Sequence, residues 1–290
     1  MQNIVPSPPQ SSSIFTFRHF PQLDGLRGVA ILLVIAGHVL QGGFAIPNDL
    51  GALGVLVFFV LSGFLITGLL DREKQQTGNI RLSTFYFRRV LRLFPALFCF
   101  LAVLLLMIKV GLVRDTPWYA VVACIIYVRN IWGRGSSTGH IWSLSIEEQF
   151  YIFWPLLMRR LSRRFALRVA ITGAIAISVF RMVAIHFEWF EYWTSIFYER
   201  SWFRFDSILV GCTIALLLSQ LTNLNKVTWY FSRSYVALLL WPAVLIWTIW
   251  GEAWTHVWYI TVQMILAMLI VLNLVVDFAY TLLDPRVKYE

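Results

Sequence analysis

Long apolar runs recur through this chain from residue 28 to residue 283, each close to the ~20 residues that a bilayer-crossing helix requires. Lipid offers no partners to the backbone, so a spanning segment must be a helix or part of a closed barrel. Ten-residue segments of alternating hydrophobicity, which a barrel needs, are absent. The expected fold is therefore all-α, a polytopic transmembrane helix bundle of about eight to nine spans. Composition agrees: 59% of the residues are hydrophobic and 13% charged, where a soluble domain carries about a quarter charged. Spans are expected near 28–46, 51–70, 94–113, 141–158, 169–187, 202–220, 235–250 and 258–283. Residues 1–20, with their Pro/Ser-rich start "MQNIVPSPPQSSS", read as a disordered tail and not as a cleaved signal peptide. Residues 21–290 read as one membrane domain without repeats or a soluble insertion.

Loop charge sets the orientation. The connection 71–92 holds six Lys/Arg and 42–50 holds none, which puts the N-terminus and 71–92 in the cytoplasm. Residues 159–168 hold five arginines. If 117–132, "PWYAVVACIIYVRNIW", crossed fully, those five would face outward against the positive-inside tendency. The segment is read instead as re-entrant, followed by the turn-forming "GRGSSTGH". The net charge of +9 belongs to such loops and does not point to nucleic acid. Cys99, Cys124 and Cys212 lie in or beside apolar runs at no metal-like spacing, so no metal site is expected.

An ionisable side chain within a span marks a candidate site, because lipid makes it costly to keep. Arg27 and His38 are separated by ten residues, "GVAILLVIAG". On a helix this puts them about 16 Å apart and about 20° from one another, on one face at two depths. Arg89 and Arg92 in "FRRVLRLFP" are i, i+3 neighbours suited to holding a phosphate. Glu147 and Glu148 lie inside the run "HIWSLSIEEQFYIFWPLL" and point about 100° apart, so they need not share a role. Arg204 and Asp206 open the run "FRFDSILVG", where Asp206 is either a site residue or the ion-pair partner of an arginine on another helix. Arg181 is a weaker candidate, and His140 falls in a connection.

A histidine part-way into a membrane, with arginines at the cytoplasmic edge, suits one problem well. An anionic, phosphate-bearing donor is held at the cytoplasmic face while its reactive end reaches inward. The neutral imidazole then serves as general base toward an acceptor hydroxyl, and nearby cations stabilise the charge that develops on the carbonyl oxygen during acyl transfer.

The ordered motifs "LDGLRGVAILLVIAGH", "GVLVFFVLSGFLIT", "FYFRRVLRLFPAL", "HIWSLSIEEQFYIFWPLL" and "FRFDSILVGC" cover roughly residues 21–220. Together they resemble acyltransferase family 3, membrane-bound O-acyltransferases that include bacterial O-antigen and exopolysaccharide O-acetyltransferases. The resemblance implies transfer of an acyl group, usually acetyl, from cytoplasmic acyl-CoA to a sugar hydroxyl of a cell-surface or lipid-linked glycan such as lipopolysaccharide. It implies an inner-membrane protein and a donor substrate, not a bound cofactor. By motif position His38 would be the catalytic base and Arg27 its essential partner, with Glu147 and Glu148 in the same catalytic centre. Arg89 and Arg92 would bind the acyl donor, and Arg204 and Asp206 would complete the polar, substrate-binding interior.

Family members continue beyond a "DPRVKYE"-like stretch, whereas this chain ends at Glu290, so it is expected to lack the last helix or two. Two rival readings follow. One is a transporter or flippase of an acyl or glycolipid group, although the paired repeats that such proteins carry are not visible. The other is a truncated, inactive paralogue.

Overall fold

The apolar runs satisfy their backbone groups within their own segments, as lipid demands. A computed structural model of the protein describes residues 21–40, 49–132, 136–187, 189 and 199–220. These form seven α-helices, with no strand among the described residues: α1 (Pro21–Leu40), α2 (Asp49–Thr77), α3 (Leu82–Lys109), α4 (Trp118–Ile125), α5 (Ile141–Arg160), α6 (Arg163–His186) and α7 (Ser201–Leu218). Four of them, α2, α3, α6 and α7, are long and apolar enough to cross a bilayer. The chain is thus a helical membrane protein. The tail at 1–20 and the spans expected at 235–250 and 258–283 lie outside the described residues.

Two helices run further than their apolar stretches. α2 continues through the charged "DREK" to Thr77, and Gly78 then turns the chain at a φ of 75°, a backbone state glycine adopts without strain. α3 starts at Leu82, so the second half of the connection 71–92 and the span expected at 94–113 are one helix with Pro95 inside it. The reason is local: "LSTFYFRRVLR" contains no helix breaker, so the helix of the apolar run extends back through it.

α2 packs closely against α1 and α7, and α6 packs on α7. The α2–α7 crossing is glycine against backbone. A Cβ on Gly63 would sit 1.9 Å from the Ile208 carbonyl oxygen, and one on Gly211 would sit 2.0 Å from that of Val60. Small residues let membrane helices approach this closely, and the gain is dispersion contact along the whole crossing. Above and below the glycines, Phe59, Phe64, Ile208 and Cys212 are fully buried. Trp154 of α5 joins α2 by donating to the Thr67 hydroxyl at 2.8 Å.

The eight-residue α4 is about 12 Å long, well short of a ~30 Å hydrocarbon layer. The chain after it turns at 126–132 instead of continuing as a helix. Side chains satisfy the backbone of this turn. Gln149 Nε2 donates to the Tyr127 carbonyl at 2.7 Å, and Arg200 donates to the carbonyls of Asn130, at 3.0 Å, and Ile131. Gln149, Asn130 and Ser201 close a hydrogen-bonded ring: Gln149 donates to Asn130 Oδ1 at 2.9 Å, Asn130 to Ser201 Oγ at 2.7 Å, and Ser201 back to Gln149 Oε1. Backbone that leaves regular structure needs partners of this kind wherever water does not supply them.

The two basic connections meet at one end of the bundle. Lys74 Nζ donates to the carbonyls of Met158, Arg159 and Leu161 at 2.6, 3.1 and 2.7 Å, capping the negative end of α5. Beside it, Arg163 at the start of α6 forms an ion pair with Asp71 at 3.0 Å.

Candidate active site

α1 is one unbroken helix from Pro21 to Leu40, so Arg27 and His38 keep the separation that their spacing sets. Arg27 is half-buried, lies 3.5 Å from Asp24 one turn earlier, and is too far down the helix to touch the imidazole. His38 is exposed, and its Nδ1 is 2.8 Å from the carbonyl oxygen of Val34. A carbonyl can only accept, so Nδ1 carries the proton, and in the neutral ring Nε2 is left with the lone pair a base needs. His140, which precedes α5, lies close enough for its charge and that of His38 to interact.

Between Arg27 and His38, the same face of α1 carries Ile31 and Val34, with Ile35 beside them. These three residues, with Val55, Phe58 and Phe59 of α2 and Ser143, Leu144 and Glu147 of α5, line a cavity of about 250 Å³. Glu147 is its charged group. Ser62 of α2 donates to Glu147 Oε1 at 2.9 Å, and the charges of Arg89, Arg27 and Arg92 all bear on this carboxylate.

Glu148 turns the other way, toward Arg89 and the turn that follows α4, where its charge bears on Tyr127. One of its oxygens is buried with no hydrogen-bond partner among the described residues. The two adjacent carboxylates therefore serve different sides of α5, as their angular separation requires.

Arg89 joins the two sides. Its guanidinium sits 4.1 Å from the centre of the Tyr151 ring and 5.6 Å from that of Phe85, a cation–π arrangement that fixes it against α5. Tyr86 adds a hydrogen bond from its hydroxyl to the Ile152 carbonyl at 2.8 Å. On its other flank Arg89 borders a larger cavity, about 580 Å³, between the charged end of α2 and the start of α3. Arg72, Arg81, Arg88 and Arg92 line it as well, so among the described residues five arginines face one space against a single carboxylate, that of Glu73. Such a concentration of guanidinium groups is suited to phosphate oxygens, which they bind in a planar, two-pronged manner.

Arg204 and Asp206, although two residues apart, have separate surroundings. Arg204 is buried, with its guanidinium 5.7 Å from the Phe59 ring centre and 5.9 Å from that of Trp142, directly behind the wall of the smaller cavity. Asp206 faces α6, where Arg181 and Ser178 donate to it at 2.7 and 3.1 Å, and Ser207 donates from its backbone at 2.8 Å. Of the two readings open from the sequence, this geometry is that of an ion-pair partner.

Sequence reasoning passed over Ser62, Tyr151 and His140. Ser62 and Tyr151 look like ordinary span residues, and only the crossing of α2, α3 and α5 gives them polar neighbours. His140 carried a signal, an imidazole just ahead of the two glutamates, that a loop position concealed.

Comparison with known proteins identifies the family. A family model described as an acyltransferase domain matches residues 20–279. The O-acetyltransferase OatA of Staphylococcus aureus, from strain NCTC 8325 / PS 47 and from strain COL, is 35% identical over 225 residues, which cover 70% of this chain and 36% of that protein. Another Staphylococcus aureus (strain COL) protein, provisionally named an O-acetyltransferase, is 34% identical over 258 residues, covering 77% of this chain and 40% of its own length. The chain thus spans about two fifths of the curated relatives it matches. No solved structure matches it. From residue 20 to residue 279, the chain belongs to acyltransferase family 3.

Proposed function

We propose that the chain transfers an acyl group, acetyl in the first instance, from cytoplasmic acyl-CoA to a hydroxyl of a cell-surface or lipid-linked sugar in the inner membrane. The observation that carries this reading is the convergence of Arg27, Arg89 and Arg92 on Glu147, at the junction between the arginine-lined cavity and the α1 face that ends at His38. An elongated donor, anionic at one end and reactive at the other, fits that path. Its phosphates meet the arginines at the end where the basic connections cluster, which loop charge assigns to the cytoplasm together with the N-terminus. Its thioester lies along α1.

His38 Nε2 takes the proton of the acceptor hydroxyl as that oxygen attacks the thioester carbonyl. The tetrahedral intermediate collapses with cleavage of the carbon–sulfur bond. The departing CoA thiolate then recovers the proton from the imidazolium, which leaves an ester and free CoA. Arg27, a dozen or more ångströms from the ring, acts on the donor or on Glu147 and not on the imidazole. The relatives are named O-acetyltransferases, and the reading extends that activity to this chain with a sugar hydroxyl as acceptor.

The test uses membranes from expressing cells and two preparations of acetyl-CoA, one labelled in the acetyl group and one in the adenine. Acyl transfer puts the acetyl label alone on the acceptor and releases an equal amount of free CoA. Movement of label across the membrane without ester formation would instead mark a transporter.

A further inference from the structure

The cavity beneath His38 differs in character from the arginine-lined space. Ile31, Val34, Ile35, Val55 and Phe58 make its walls apolar, and Glu147 and Ser143 supply the polar groups at its α5 side. Val34 forms a wall of this cavity and its carbonyl holds the His38 ring, so the base lies about one helical turn from the cavity. At about 250 Å³ it is smaller than the ~300–1,000 Å³ of sites for drug-sized ligands. It equals about eight times the ~30 Å³ share of one water in the liquid. An acetyl group has three heavy atoms, which leaves room for roughly five more, enough for the four that hexanoyl adds.

We propose that this cavity is the acyl-group subsite of the donor, that Val34 and Phe58 set its depth, and that it accepts acyl chains longer than acetyl, up to about hexanoyl. The proposal rests on the donor reading above and adds what that reading leaves open, the length of the transferred group. The apolar lining excludes the nucleotide end of the donor, which belongs with the arginines. Each methylene that enters such a lining tightens binding by about fourfold, from the free energy of burying one CH₂. Butyryl-CoA should therefore bind about fifteenfold tighter than acetyl-CoA.

The full chain, purified in detergent, is titrated with CoA, acetyl-CoA, butyryl-CoA, hexanoyl-CoA and octanoyl-CoA, and affinity is read from the ligand-induced rise in melting temperature. In wild type, affinity should rise stepwise to hexanoyl and then level off or fall at octanoyl. Val34→Phe should abolish the gain beyond acetyl, and Phe58→Ala should move the optimum to octanoyl. CoA itself should bind all three proteins equally, which also reports that the variants are folded. If CoA binds but chain length makes no difference in wild type, or the order of donors is the same in both variants, the subsite is wrong while the donor reading stands. If neither CoA nor any acyl-CoA stabilises wild type, the donor reading falls and takes the subsite with it.

Discussion

Arg181 of α6 and Asp206 of α7 form an ion pair 2.7 Å long in which neither side chain has any exposure. Arg181 also donates to the Phe203 carbonyl at 2.6 Å, so one guanidinium ties two helices together through side chain and backbone. Removing one partner of a buried pair leaves an uncompensated charge, which costs about 3–5 kcal/mol, whereas replacing both with apolar groups of similar volume is often close to neutral. Asp206→Ala and Arg181→Met should each lower stability by about that amount, and Arg181→Met/Asp206→Leu should recover most of it. Thermal unfolding in detergent checks this. Recovery in the double variant is the outcome a structural pair requires, since a substrate-binding Asp206 would leave donor or acceptor affinity impaired in the refolded double variant.

The glycine crossing makes a sharper steric prediction. Gly63 and Gly211 have no space for a Cβ, while a Cβ on Gly78 would meet nothing within 4 Å among the described residues, and Gly78 has a φ of 75°. Gly211→Leu should prevent α2 and α7 from meeting and reduce the yield of folded protein to a few per cent. Gly78→Ala should cost only about 1 kcal/mol through its backbone conformation. Size-exclusion profiles of the two variants at equal expression distinguish steric exclusion from backbone strain.

Topology is testable without activity. Lys74 and Asp71 touch the α5–α6 connection, so 71–81 and 159–164 lie on one side of the membrane. With the native cysteines replaced, single cysteines at Gln76 and Ser162 should both resist an impermeant thiol reagent in intact cells and both react after permeabilisation. Labelling of one site but not the other in intact cells would mean that 117–132 crosses the bilayer. Gln149→Leu, which removes the partner of the Tyr127 carbonyl, should weaken the turn after α4 and speed hydrogen exchange at 126–132.

Much of this molecule was legible in the sequence, because lipid restricts what an apolar run can become. The helices, and the candidate status of Arg27, His38, Arg89 and Glu147, follow from run length and from the cost of charge in a span. The unequal loop charge already placed 71–92 and 159–168 on one side, where Lys74 and Arg163 now meet their partners. Other features depend on which helix lies next to which. Gly63 and Gly211 are unremarkable until α2 crosses α7. The partition of Glu147 and Glu148 between α2 and the turn after α4 becomes visible only when both neighbours are in place. Arg181 reads as a weak candidate until Asp206 is found against it, and helix ends such as Thr77 are set by Gly78 and not by hydropathy.

The most direct measurement compares His38→Ala with wild type at equal protein level in membranes supplied with acetyl-labelled acetyl-CoA. A base that removes the acceptor proton contributes typically 10²–10⁴-fold, so acceptor labelling should fall by at least a hundredfold while CoA binding is unchanged. Labelling by His38→Ala at the wild-type rate would contradict the assignment of His38 as the base.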